Sequence, residues 1–175
     1  MRGCCESRPG DWLPWTLDGP RRSRRPFVPA GEYPVTVSLM RFADTMHPPS
    51  VAAARVSLLD TPPIEWEMSL RPDEDQRHLD DGKFYGVGVD TGIAAFLDMT
   101  RTVDEDEFND ELVMPFDSCF TVELANVASE PNLIGFRAGS PDGGTFPVWI
   151  GRTEGGQVSC LVIDFQLYPP LRRSD

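Results

Sequence analysis

TFPVWIGRTEGGQVSCLVIDFQLY, residues 145–168, decides the fold. Its second half alternates: Leu161, Ile163 and Phe165 fall on one side of an extended chain, Val162, Asp164 and Gln166 on the other. A period of two marks a strand with one covered face. The first half, TFPVWIGRT (145–153), reads as a strand as well, and Gly155-Gly156 supplies the turn between the two. Neighbouring strands joined by a short glycine turn argue for antiparallel β structure.

The same pattern extends outward. EYPVTVSLM (32–40) sets Tyr33, Val35, Val37 and Leu39 against Pro34, Thr36 and Ser38; Pro34 has no N–H to donate, which favours a sheet edge or the start of the strand. IEWEMSL (64–70) sets Ile64, Trp66, Met68 and Leu70 against Glu65, Glu67 and Ser69. VAAARVSLL (51–59) mixes helix-forming alanines with a strand-like end, and its short length and its neighbours tip it to strand. FTVELANV (120–127) and NLIGFRAG (132–139) add two more. KFYGVGVD (83–90) and IAAFLD (93–98) flank Thr91-Gly92, which predicts a tight hairpin. VDEDEFNDELVMPF (103–116) predicts the one helix: acids crowd its start, where the helix dipole favours them, and Pro115 ends it. The expected fold is a single mostly-β domain (α+β at most), an antiparallel sandwich or partly open barrel of about eight strands with one short helix. It spans 28–170, after an irregular Arg/Pro-rich arm over 1–27 with Trp12 and Trp15 as anchors, and before a polar tail at 171–175.

The chain has 175 residues, enough for one domain to bury a core without disulfide or metal staples. No apolar stretch approaches the ~20 residues of a membrane span, and MRGCCESRPGDWLPW lacks the apolar core of a signal peptide. A cytoplasmic location without membrane contact is expected. The net charge is −12, unevenly spread. Residues 1–25 carry six Arg against three acids, while the rest carries ten basic residues against twenty-five acidic ones. So acidic a body repels polyanions and excludes nucleic acid as a natural partner; a basic protein partner suits it better. Arg21 to Arg25, RRSRR, reads as a solvated linker or a match for the protein's own acidic face. Cys4, Cys5, Cys119 and Cys160 form no C-x-x-C, so no zinc knuckle or redox pair is expected, and Cys119 and Cys160 read as small buried hydrophobes.

Asp90-Thr91-Gly92 is the triplet that most resembles chemistry. An aspartic protease needs two such loops, so that two carboxylates share one proton. One loop per chain allows only a homodimer of the retroviral type. Val89 before the triplet and Leu133-Ile134-Gly135 as a bracing strand fit that reading, whereas Ile93 after the triplet and the glycines of Gly86-Val87-Gly88 do not. His47 and His78 lie in polar or proline-rich loops, no G-x-S-x-G elbow occurs, GSPDGG (139–144) lacks a P-loop lysine, and EDEFND lacks the glycine of a calcium loop. No cofactor and no metal are expected, and no catalytic residue can be named. What remains is a set of charges in apolar settings: Asp90, Asp98, Asp142, Asp164, Arg55 and Arg137. They are the candidate ligand-binding residues. The structural alternative is that they pair with one another, Asp164 with Arg55 or Arg137, or accept backbone N–H bonds in turns.

The order of short motifs is P-x-G-x-Y-P-V (29–35), A-A-x-V (53–56), x-E-W-E-M (64–68), Y-G-V-x-V-D-x-G (85–92) with F-L-D (96–98), and S-P-D-G-G-T-F-P-V-W-I-G (140–151) with V-I-D-F (162–165). Over about residues 28–168 it resembles the bacterial family known as domain of unknown function 4241. The resemblance places that family's signatures on Asp90 and Gly92, on Asp142 and Gly143, and on Asp164 and Phe165; Pro141 stands where a glycine is usual. It implies no activity. Three functions stay open: a binding or accessory module, a hydrolase with an acidic site whose most specific form is the homodimeric protease, and an immunity-like protein that neutralises a basic partner.

Overall fold

The computed structural model of the chain describes residues 12–15, 28, 31–41, 49–89, 92–98, 121–124, 133–138 and 143–167. The helix expected at 103–116 lies outside them, as do Cys4, Cys5, Cys119, His47, Asp90 and Asp142. Among the described residues the protein is mostly β, with one 3-10 turn at Gln76–His78 in the charged loop.

Eleven strands follow in order among the described residues: β1 (Trp12–Trp15), β2 (Val35–Met40), β3 (Ser50–Ser57), β4 (Glu65–Met68), β5 (Val87–Val89), β6 (Ile93–Asp98), β7 (Thr121–Leu124), β8 (Leu133–Arg137), β9 (Gly144–Phe146), β10 (Val148–Arg152) and β11 (Val158–Asp164). Every pairing is antiparallel. One sheet has the order β2-β3-β11-β10-β4, a second β1-β6-β8-β7, and β5 and β9 form a two-stranded ribbon. Neither sheet closes into a barrel. Within the lead-in read as irregular, Trp12–Trp15 pairs with β6, Trp12 opposite Asp98.

The alternation in the sequence becomes the core. Leu161, Ile163 and Phe165 are buried, and so are their neighbours on the same face, Val56, Ala54, Val148 and Ile150. Ala94, Phe96, Ile134 and Phe136 of the second sheet join the same cluster, with Val89 and Phe146 of the ribbon. Pro34 precedes the edge strand β2, as its missing N–H requires, and its carbonyl accepts from Ser57 N–H at 3.0 Å. Residues 51–57 are strand, and their alanines fit a tight sheet: Ala54 is fully buried, and Ala52 O accepts from Phe165 N–H at 3.0 Å.

Two further expectations fail. The hairpin over Val87–Phe96 does not form: β5 pairs with β9 while β6 lies in the four-stranded sheet. Both favoured two-residue hairpin loops need positive φ at the first position, where the sequence offers a β-branched Thr91 and not glycine; Gly92, at φ 71, comes one residue too late. Likewise TFPVWIGRT is two strands, not one. Pro147 cannot donate to a ladder, and the chain changes sheets there: Gly144–Phe146 serves the ribbon and Val148–Arg152 the five-stranded sheet. Pro147 O still accepts from Asp164 N–H at 3.1 Å.

Candidate functional site

Register partners in a sheet share a face. The face of the five-stranded sheet turned away from the core therefore carries the row Met68, Trp149, Val162, Arg55 and Thr36, beside a row of Trp66, Gly151, Cys160 and Ser57. Pro63 covers part of it. A Cβ built on Gly151 would stand 2.8 Å from Cys160 Sγ and 2.8 Å from Pro63 Cβ, so only glycine lets this proline close over the thiol. Beneath it Cys160 is a free, fully buried cysteine. Burial pushes its thiol above the ordinary range, partly offset by the nearby charge of Arg55.

The cover ends at β4. Trp66 is 51% exposed and Ile64 62%, the largest exposures among the described large apolar residues. Trp66 lies on the outer side of β4 with Met68, whose partner Trp149 is half-buried, whereas Ile64 precedes the strand and its N–H donates to Arg152 O at 2.8 Å, which breaks the alternation expected over 64–70. β4 is an edge strand, and Ser69 N–H donates to Val148 O at 2.8 Å. By antiparallel alternation, the N–H and C=O of residues 65, 67 and 69 point to β10 and those of Trp66 point away from it. At its far end Tyr85 N–H donates to Met68 Sδ at 3.3 Å. On the opposite side Glu67 is paired with Arg152, while the carboxylate of exposed Glu65 has no hydrogen bond or ion pair among the described residues.

The six charges named from the sequence are not all placed by the structure. Asp164 ends β11 on the outer face, opposite Ala53. It forms no ion pair with Arg55 or Arg137 among the described residues; its Oδ1 accepts from Gln166 N–H at 2.8 Å, and Gln166 stands at φ 52. The carboxylate thus closes a turn, the second of the two structural roles open to it. Arg55 shares the outer face with Asp164, and its buried Nε has no hydrogen-bond partner. Arg137 is exposed at the end of β8 in the other sheet, and Asp98 ends β6 there. Asp90 and Asp142 lie outside the described residues; Val89 and Gly144, close to them in the chain, are register partners. The segment read as a protease brace, Leu133-Ile134-Gly135, pairs with Leu97, Phe96 and Ala95, whereas Gly92 O receives Ala138 N–H at 2.8 Å. The triplet's glycine and the supposed brace therefore sit at opposite ends of the strand pair. Among the described residues no three His, Cys, Asp or Glu groups are arranged to hold a metal ion, and no helix is long and apolar enough to cross a membrane.

Sequence reasoning put Ile64 and Trp66 on one face of a strand but did not single them out. The available signal was a Trp and an Ile alternating with glutamates directly after Pro62-Pro63.

The fold and this surface are those of an antiparallel β-rich protein in which, among the described residues, an edge strand carries a half-exposed tryptophan. The chain belongs to the family described as a protein of unknown function (DUF4241), matched over residues 20–163, a span that begins earlier than the motifs alone suggested. Among curated proteins and solved structures, none matches.

Proposed function

We propose that this chain is a binding or accessory module, and that its working surface is the outer face of the five-stranded sheet where it reaches β4. The observation that carries the reading is the half-exposed indole of Trp66 on the edge strand β4, which follows directly on exposed Ile64. Large apolar side chains left in water gain from being covered, and tryptophan is the commonest anchor of protein interfaces. A hydrolytic acidic site draws no comparable support, because Asp164, one of its candidates, is engaged by Gln166 N–H. A cytoplasmic setting belongs to the same reading; it suits the free thiol of Cys160, which a reducing compartment preserves.

Comparative affinity capture tests it. The wild-type chain and an Ile64→Ser/Trp66→Ser variant of equal melting temperature are used as bait in an extract of the source cells. A protein retained by the wild type and lost by the variant is expected. Identical captures by the two baits would defeat the reading.

A further inference from the structure

We infer that β4 takes up an extended, basic protein segment as a sixth strand of the five-stranded sheet, an inference that rests on the binding reading above. Three features of the same short edge point to it. Trp66 turns its N–H and C=O away from β10, which leaves a donor and an acceptor for one more strand. Trp66 stands half-exposed on one side of that edge, with Ile64 exposed just before the strand, so an added strand with an apolar side chain beside Trp66 covers the indole. Glu65 stands on the other side, exposed and unpaired among the described residues, with Glu154 exposed in the turn just beyond its register partner Arg152. A strand that alternates apolar with basic residues meets both sides at once.

Charge decides between the two possible sources of such a strand. A second copy of this chain carries the same net −12 and would bring its own Glu65 to the seam; like charges across a strand pair oppose association. A basic segment has the complementary sign and is attracted from a distance. The open stretch is short, because β4 has only four residues, so the recognised core is a few residues whose main-chain bonds centre on Trp66.

The test uses the full chain and a short capped peptide of alternating lysine and valine, followed by calorimetric titration. Expected results are binding that weakens as salt rises, loss of about tenfold or more in affinity with Trp66→Ser, and loss of similar size when the peptide amides facing one side are N-methylated. A glutamate-valine peptide that binds equally well would overturn the basic character of the partner. N-methylated peptides of both registers that bind like the parent would overturn strand addition. So would a concentration-dependent dimer in sedimentation that Trp66→Ser abolishes, since the occupant is then a second copy. No binding of the lysine-valine peptide overturns the inference as well; the binding reading fails with it only if the capture experiment also shows no difference between its baits.

Discussion

The ring of Phe136 in β8 meets the ring of Phe165, just after β11, edge to face with centroids 6.1 Å apart. Through this contact the four-stranded sheet touches the five-stranded one. Phe96 extends it on one side at 5.1 Å, and Phe146 of the ribbon on the other at 5.0 Å. Phe165 therefore touches rings from both of the other sheets. Phe165→Ala should cost about 3–5 kcal/mol of stability, read as a lower urea midpoint, and Phe165→Leu distinctly less. A Phe165→Ala protein as stable as the wild type would show that the sheets are held together elsewhere.

Gly151 and Gly88 make a matched pair. A methyl on Gly151 collides with Cys160 Sγ and Pro63, whereas one on Gly88 meets nothing within 4 Å. Gly151→Ala should lower stability by about 1–3 kcal/mol through overpacking. Gly88→Ala should leave it unchanged or raise it by about 0.4–1 kcal/mol, by narrowing the unfolded ensemble. Thermal melts of the two variants decide.

Cys160 gives the stability a pH dependence of known sign. Burial raises its pKa in the folded chain above the ordinary value of 9.0. The folded state therefore holds this proton more tightly than the unfolded one. The contribution is fully present below pH 9.0 and is lost as pH rises through the raised value. Urea midpoints measured at neutral pH and at about pH 10 should fall more for the wild type than for Cys160→Ala. In the native state the thiol should also resist iodoacetamide until the chain unfolds.

Asp164 should behave as a turn residue. With its carboxylate on Gln166 N–H and no ion pair among the described residues, Asp164→Ala should cost about 1 kcal/mol, and Asp164→Asn less. Gln166→Gly should raise stability by about 0.5–1 kcal/mol, since φ 52 strains any residue with a Cβ. A large loss in Asp164→Ala would reveal a buried ion pair instead.

How far residue pattern reaches is visible in particular strands. Alternation in 161–165 identified the buried face of β11 correctly, and the missing N–H of Pro34 placed β2 near an edge, because both are local properties of strands. The division at Pro147 was equally local and could have been read from the proline alone. The departure of β5 from β6 was not: it depends on β9 as a partner from more than fifty residues later in the chain. Neither was the setting of Asp164, where periodicity named the face but not the carboxylate's partner. The exposure of Trp66 follows from β4 lying outermost, a consequence of strand order that no single stretch encodes.

That strand order also has a temporal side. In β2-β3-β11-β10-β4 the middle position belongs to the strand that comes last of the five in the chain. As the polypeptide leaves the ribosome, the β2–β3 pair emerges with one flank bare, and Val56 and Ala54 wait for Leu161 and Ile163 across about a hundred residues of intervening synthesis. Nothing local can fill that gap, and non-local closure of this kind is slow. The nascent chain thus carries an unzipped seam through most of its manufacture, the very period in which chaperones guard exposed strands.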